Sequence, residues 1–272
     1  MSRRILALAG LALALSPMPA AAVPLVIGET FTVKSDVLGE TRHINVFVPT
    51  TWGEPIDGDL PVLYMPDGGL SEDFLHIAGL LQVSVSNGTM RPFILVGIQN
   101  TERARDMTGP TSDPRDHSVA PNIGKSDQFR AFLRDELFPV IGKRYRVTDE
   151  RAIIGESLAG LFVVETLTRH PDLFDSYIAI DPSLWWNDNA LPKAAAELLS
   201  GVTGKQLFVA TGQEAGRYEP FRPFIAALKA QDPARLDWHY VHMPTETHAT
   251  LYHPAAVKAF RALFAPKKPA QK

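Results

Sequence analysis

Arg151-Ala152-Ile153-Ile154-Gly155-Glu156-Ser157-Leu158-Ala159-Gly160-Leu161-Phe162-Val163-Val164 is the stretch on which the reading of this chain turns. A short β-branched run enters it and an apolar helical run leaves it. Between them a serine stands among small residues. A serine at a strand-to-helix turn is the pattern of a nucleophile elbow. The tight turn holds the serine in a strained conformation, so the residues two before and two or three after it must be tiny. The turn also lifts the hydroxyl above the sheet and aims the first helical amides at any developing oxyanion. The usual spacing is G-x-S-x-G; here Ala159 takes the place of the second glycine and Gly160 follows it, one extra methyl group in a crowded place. A serine that merely caps the helix is the alternative reading of the same residues.

Outward from the elbow, Pro61 to Met65, Phe93 to Ile98, Ala152 to Ile154, Tyr177 to Ile180 and Leu207 to Ala210 are continuous apolar runs. Strands buried on both faces read this way, which implies a parallel sheet covered by helices. Helical stripes lie between them: Phe129, Phe132, Leu133, Leu137, Val140 and Ile141, then Leu191 to Leu199, Phe221 to Leu228 and Ala255 to Phe264. Glu29 to Lys34 and His43 to Val48 alternate around Leu38-Gly39-Glu40 and predict an antiparallel hairpin. The expectation is an α/β fold with a mostly parallel central sheet, an N-terminal antiparallel hairpin and helices on both faces. No repeat or linker divides the chain, so one domain is expected over 23–265. Asn100 to Asn122, rich in Pro, Gly, Asp and Thr, reads as a long loop.

The ends read differently. Ser2-Arg3-Arg4, the apolar Ile5 to Leu15 and the small Ala20-Ala21-Ala22 have the form of a secretory signal peptide over 1–22, too short for a membrane span. The expected mature protein is periplasmic or secreted, with a flexible tail over 266–272. There are no cysteines, which excludes a thiol nucleophile and Cys-ligated metal. Removing Arg3 and Arg4 takes the formal charge from −3 to −5. That balance, without a basic run, argues against nucleic acid as a partner. No later segment suggests a membrane span, and the oligomeric state is not legible.

A serine hydroxyl needs a base. In α/β-hydrolases, whose nucleophile elbow this turn resembles, the chain order is serine, acid, histidine, each on a loop at the carboxyl edge of the sheet. The last strand is predicted at Leu236 to Met243, and the loop Pro244 to Thr250 carries His248, the candidate base. His239 and His242 fall inside the strand, and His170 precedes Pro171 at a helix end. The acid should follow the preceding strand, which selects Glu214; Asp181, one strand earlier, and Glu246, beside His248, are the competitors. The oxyanion donors are expected at the amide of Leu158 and in the turn Met65-Pro66-Asp67-Gly68-Gly69, Gly69 before Gly68; an ordinary glycine turn is the plainer reading.

Pro61 to Gly69, Arg151 to Phe162, Asp175 to Trp186 and Glu246-Thr247-His248 together resemble the putative-esterase branch of the α/β-hydrolase fold, across nearly all of the mature chain. That branch includes enterochelin (trilactone siderophore) esterases, feruloyl esterases, S-formylglutathione hydrolase and mycolyltransferases. The likeness is strongest to the periplasmic trilactone esterases, whose elbow commonly reads G-H-S-x-G-G. Their Tyr-Met/Leu-Leu-Asp-Gly segment matches Tyr64-Met65-Pro66-Asp67-Gly68, and the resemblance implies an oxyanion role there. Their serine and histidine fall on Ser157 and His248. Some members look like Ser-His dyads, so the resemblance leaves the acid open. Asn100 to Asp106 resembles an arginine-bearing loop at the active site, which makes Arg103 and Arg105 candidates for anionic oxygens. Trp185 and Trp186, just beyond the Tyr177 to Ile180 strand, are candidates for stacking on an aromatic acyl group. With the leader marking it for export, the resemblance implies a serine esterase for which no metal or organic cofactor is implied and which takes a small-molecule ester or lactone, catecholate siderophores first. A feruloyl or acetyl carbohydrate esterase, an acyltransferase or a non-catalytic binding module on the same fold are the alternatives.

Overall fold

The structure, a computed structural model, describes residues 22–213 and 221–266. Apart from residues 22 and 266, the expected leader and tail lie outside these residues. Eight strands form one sheet: β1 (Glu29–Ser35), β2 (Glu40–Phe47), β3 (Leu60–Pro66), β4 (Ile94–Ile98), β5 (Val147–Glu156), β6 (Ser176–Ile180), β7 (Lys205–Thr211) and β8 (Leu236–His242). Their order is β1-β2-β4-β3-β5-β6-β7-β8. β2 runs antiparallel to both of its neighbours and every other pairing is parallel. The predicted hairpin is β1–β2, turned at Gly39, whose φ of +68° suits a residue without a Cβ.

Side chains alternate across the sheet and divide the core in two. Leu63, Met65, Ala152 and Ile154 pack toward α1 (Phe74–Ser86) and α8 (His248–Leu263). Val62, Tyr64 and Ile153 pack on the opposite face, against helices that include α5 (Leu158–Arg169) and α7 (Phe221–Lys229). β3, β4 and β6 are buried along their whole length, as their unbroken apolar runs predict. The chain passes from β3 to β4 on one side and from β5 onward on the other. The turns after β3 and β5 therefore flank the point where strand order reverses, and at this edge open α/β sheets bind ligands.

Three elements differ from the sequence reading. The stripe from Phe129 to Ile141 is α3 (Ser126–Phe132), one π turn (Leu133–Leu137) and α4 (Phe138–Arg144). Pro139 cannot donate to the carbonyl four residues back, and the π turn absorbs the missing bond while keeping Phe129, Phe132, Leu133, Leu137 and Ile141 buried. The loop over 100–122 contains a helical turn, α2 (Arg103–Met107), and a 3-10 turn at Pro114–Ser118. α8 begins seven residues earlier than its apolar stripe, because Thr247 and Thr250 form a capping box. His248 is thus the first residue of a helix rather than part of a loop.

Candidate active site

The elbow is drawn by its glycines. Ser157 has φ 60° and ψ −121°, a left-handed conformation that a non-glycine residue keeps only where its surroundings enforce it. Its amide donates to the Ile180 carbonyl at 3.0 Å, and its carbonyl accepts from the Ser183 amide at 3.0 Å. A Cβ on Gly155 would stand 2.8 Å from the Ala159 Cβ, and one on Gly160 would stand 2.9 Å from the Ile180 oxygen. Ala159 is therefore accommodated because Gly155 has no side chain, and Gly160 is the residue that must stay bare. Leu158 is the first residue of α5, so its N–H has no helical acceptor.

His248 Nδ1 lies 2.7 Å from Asp181 Oδ2. Asp181 follows β6, has φ 41°, and is fixed by its amide to the Ala210 carbonyl at 2.8 Å. The acid selected from sequence, Glu214, lies outside the described residues. Glu246, the third candidate, instead accepts from Thr250 Oγ1 at 2.7 Å and finishes the cap of α8. Ser157 Oγ is 3.4 Å from Ser183 Oγ.

The glycine turn after β3 is tightly used. A Cβ on Gly68 would lie 2.3 Å from Gly97 Cα, so this glycine answers to the close approach of two backbones. The Gly68 amide donates to Ile98 O at 3.0 Å, and the Gly69 amide donates to the Glu72 carboxylate at 2.6 Å. An anionic oxygen thus already sits on the Gly69 amide. Glu72 was not among the residues singled out from sequence, although a carboxylate three residues after a glycine turn is the available signal.

The substrate candidates divide. Arg103 grips Asp67 with Nε and Nη2 at 2.7 and 2.8 Å, and its Nη2 also reaches the Glu156 carbonyl at 3.3 Å. It ties the β3 turn to the elbow and stays 36% exposed. Arg105 is a correction. Its side chain is 12% exposed and committed to Glu40 at 2.8 Å and Asp106 at 2.7 Å, part of a network around the fully buried Arg42. Trp186 is the second correction: 3% exposed, it packs in the core and donates from Nε1 to the Gly109 carbonyl at 2.9 Å. Trp185 is 39% exposed and keeps an accessible ring.

The carboxylates near the elbow are numerous. Burial pushes the Glu156 carboxyl up to about 7, helped by Asp73, Asp181 and Asp67 and opposed by His248. Burial also raises Asp73, with Asp67 and Glu72 adding to it and Arg103 opposing. No group of three or more His, Cys, Asp or Glu among the described residues is arranged to hold a metal ion.

The sheet order, the strained serine after β5 and the histidine at the last helix define an α/β-hydrolase. Residues 35–268 match the family model described as "Putative esterase", and the chain belongs to that family. It is similar to the ferri-bacillibactin esterase BesA of Bacillus subtilis, 30% identical in an alignment 178 residues long that covers 59% of this chain and 61% of that protein. It is also similar to the siderophore enterobactin esterase of Emericella nidulans, 29% identical over 59% of each chain. The aligned region thus spans about three-fifths of these relatives' length. Among solved structures, an IroE-like serine hydrolase from Shewanella oneidensis superposes with a TM-score of 0.74 at 27% identity, covering 87% of this chain and 80% of that one. The BES protein from Bacillus cereus gives 0.76 at 20% identity, over 91% and 99%, a likeness of fold.

Proposed function

We propose that this protein is an exported serine esterase that opens carboxylic esters or lactones of siderophores. The observation that carries the reading is the 2.7 Å bond from His248 Nδ1 to Asp181 Oδ2 at the sheet edge where Ser157 is held at positive φ. The bond keeps the Nδ1 proton toward the carboxylate and leaves the Nε2 lone pair for the Ser157 proton. As Oγ bonds to the ester carbonyl carbon, that proton passes to Nε2 and the carbonyl electrons move onto oxygen. The Leu158 amide receives the oxyanion, and the Gly69 amide joins it as the Glu72 carboxylate gives way. Collapse expels the alkoxide, protonated by His248, and water then releases the acyl group with His248 as base.

The substrate class rests on the named activities of the relatives and on Trp185, whose exposed indole suits an aromatic acyl group. A fluorophosphonate probe tests the mechanism directly. Wild-type protein should be labelled and Ser157→Ala should not, with kcat on p-nitrophenyl esters falling by roughly 10⁴–10⁶. Absence of labelling in the wild type would remove the serine reading. Turnover of bacillibactin- and enterobactin-type trilactones beside feruloyl and acetyl sugars then assigns the substrate.

A further inference from the structure

Glu156 stands where the family's elbow commonly carries histidine, and three observations give its side chain a direction. It continues the alternation of Ala152 and Ile154, both packed toward α1 and α8. Its Oε1 is buried with no hydrogen-bond partner among the described residues. On α8, His248 and Tyr252 are four residues apart and share a helical face, and Tyr252 packs in that same core with its hydroxyl buried and equally without a partner there. Glu156 and His248 therefore meet on one side of the serine turn.

We propose that Glu156 is a positioning residue for charge: resting on the Ser157 reading, its ionised carboxylate stabilises the imidazolium that forms when His248 takes the serine proton. Asp181 serves Nδ1 by a hydrogen bond, and Glu156 adds a second negative charge from the α1 side. Glu156 neither gains nor loses a proton in the step; the proton travels from Ser157 Oγ to His248 Nε2 and on to the leaving alkoxide.

The groups facing Glu156 set when it is charged. From the β3 turn comes Asp67, neutralised by Arg103 of α2; from the start of α1 comes Asp73; after β6 comes Asp181; from α8 come His248 and Tyr252. Burial, Asp73, Asp181 and Asp67 favour its neutral form, whereas His248 favours the anion. Arg103 is held charged by Asp67 and by Glu156 in spite of its own burial. Tyr252, raised well above the ordinary phenol range by burial and these carboxylates, remains a neutral hydroxyl. The coupling is reciprocal: if the imidazolium favours ionised Glu156, ionised Glu156 favours the imidazolium to the same extent.

The test is the pH profile of Glu156→Gln, an isosteric change, on a p-nitrophenyl ester. In the wild type the rising limb of kcat/KM should have its midpoint raised, because ionised Glu156 holds the proton on His248. In the variant that midpoint should move to lower pH, and the plateau should fall about 5- to 30-fold. An unmoved limb overturns the proposal whatever the plateau does, since a purely structural role lowers activity without shifting a midpoint. An unchanged plateau overturns it as well. NMR titration of His248 in Ser157→Ala, with and without Glu156→Gln, reads the same coupling without turnover: a lower His248 midpoint in the double variant supports it and an identical one overturns it. Should Glu156→Gln not fold, Glu156→Ser is read in the same way, and an unmoved His248 midpoint there overturns the proposal. Fluorophosphonate labelling with an unmoved limb would sink the Glu156 assignment alone, whereas no labelling would sink the serine reading and leave the NMR titration to decide the coupling.

Discussion

Ser157 and Asp181 both adopt positive φ, at 60° and 41°, and both are held there by backbone bonds to the neighbouring strand. Strain of this kind costs on the order of 1–3 kcal/mol for each residue and persists only where the surroundings over-determine it. At the residue scale this separates the candidate acids. Asp181→Asn should lower kcat by roughly 10²–10⁴, because His248 loses its tautomer and orientation. Glu246→Gln should change kcat little and act on stability through the cap of α8. Comparison of the two variants, with Glu214→Gln beside them, settles the role; a larger loss from Glu214→Gln would move the acid there, and small losses from all would indicate a dyad.

At the scale of elements, the junction of β6 with α6 (Trp186–Ser200), kinked within its first turn, separates two adjacent indoles into different jobs. Asn187, Asp188 and Asn189 all have positive φ, and Asn187 Oδ1 accepts from the Ser112 amide at 2.9 Å. This turn and the loop after α2 therefore hold each other, with Trp186 as the buried bolt and Trp185 on the surface. Trp186→Ala should destabilise the fold by about 3–5 kcal/mol and lower activity on every ester alike. Trp185→Ala should leave the thermal midpoint nearly unchanged and weaken catechoyl or feruloyl esters by ~1 kcal/mol relative to p-nitrophenyl acetate. Equal effects of Trp185→Ala on both substrates would exclude stacking.

For the whole molecule, the ion pairing of β2 with the segment 101–106 has a pH signature. Burial alone would raise Glu40, but hydrogen bonds from Arg105, Thr101 and Arg42 bring it down to about 2 from an ordinary 4.5. A carboxyl depressed on folding contributes stability above its unfolded pKa and loses it as pH falls toward the folded one. Thermal midpoints should therefore drop on acidification from about pH 4.5 toward 2, and Glu40→Gln, already lacking this contribution at neutral pH, should show a shallower drop. Parallel curves for the two proteins would mean that the network adds nothing to stability.

The sequence by itself determined the architecture and the strand–serine–helix turn, because those follow from local rules. Unbroken apolar runs demand two-sided burial, the Glu29 to Val48 alternation demands a hairpin, and Gly155, Gly160 and Ser157 leave the chain few ways to turn. The position of His248 at the carboxyl edge of the sheet was legible from its place after the last strand. Tertiary structure decided the rest. Asp181 and Glu214 both follow strands that end at the same edge, and only the packing of α8 shows that Asp181 reaches His248. Arg105 and Trp186 carry the right chemistry for a substrate, yet Glu40, Asp106 and the Gly109 carbonyl, distant in sequence, have already taken their polar groups. Glu72 on the Gly69 amide and Glu156 beneath the elbow escape a linear reading for the same reason. Their partners are assembled from β3, α1, β5 and α8, and a carboxyl's charge and direction are set by the neighbours that folding brings to it.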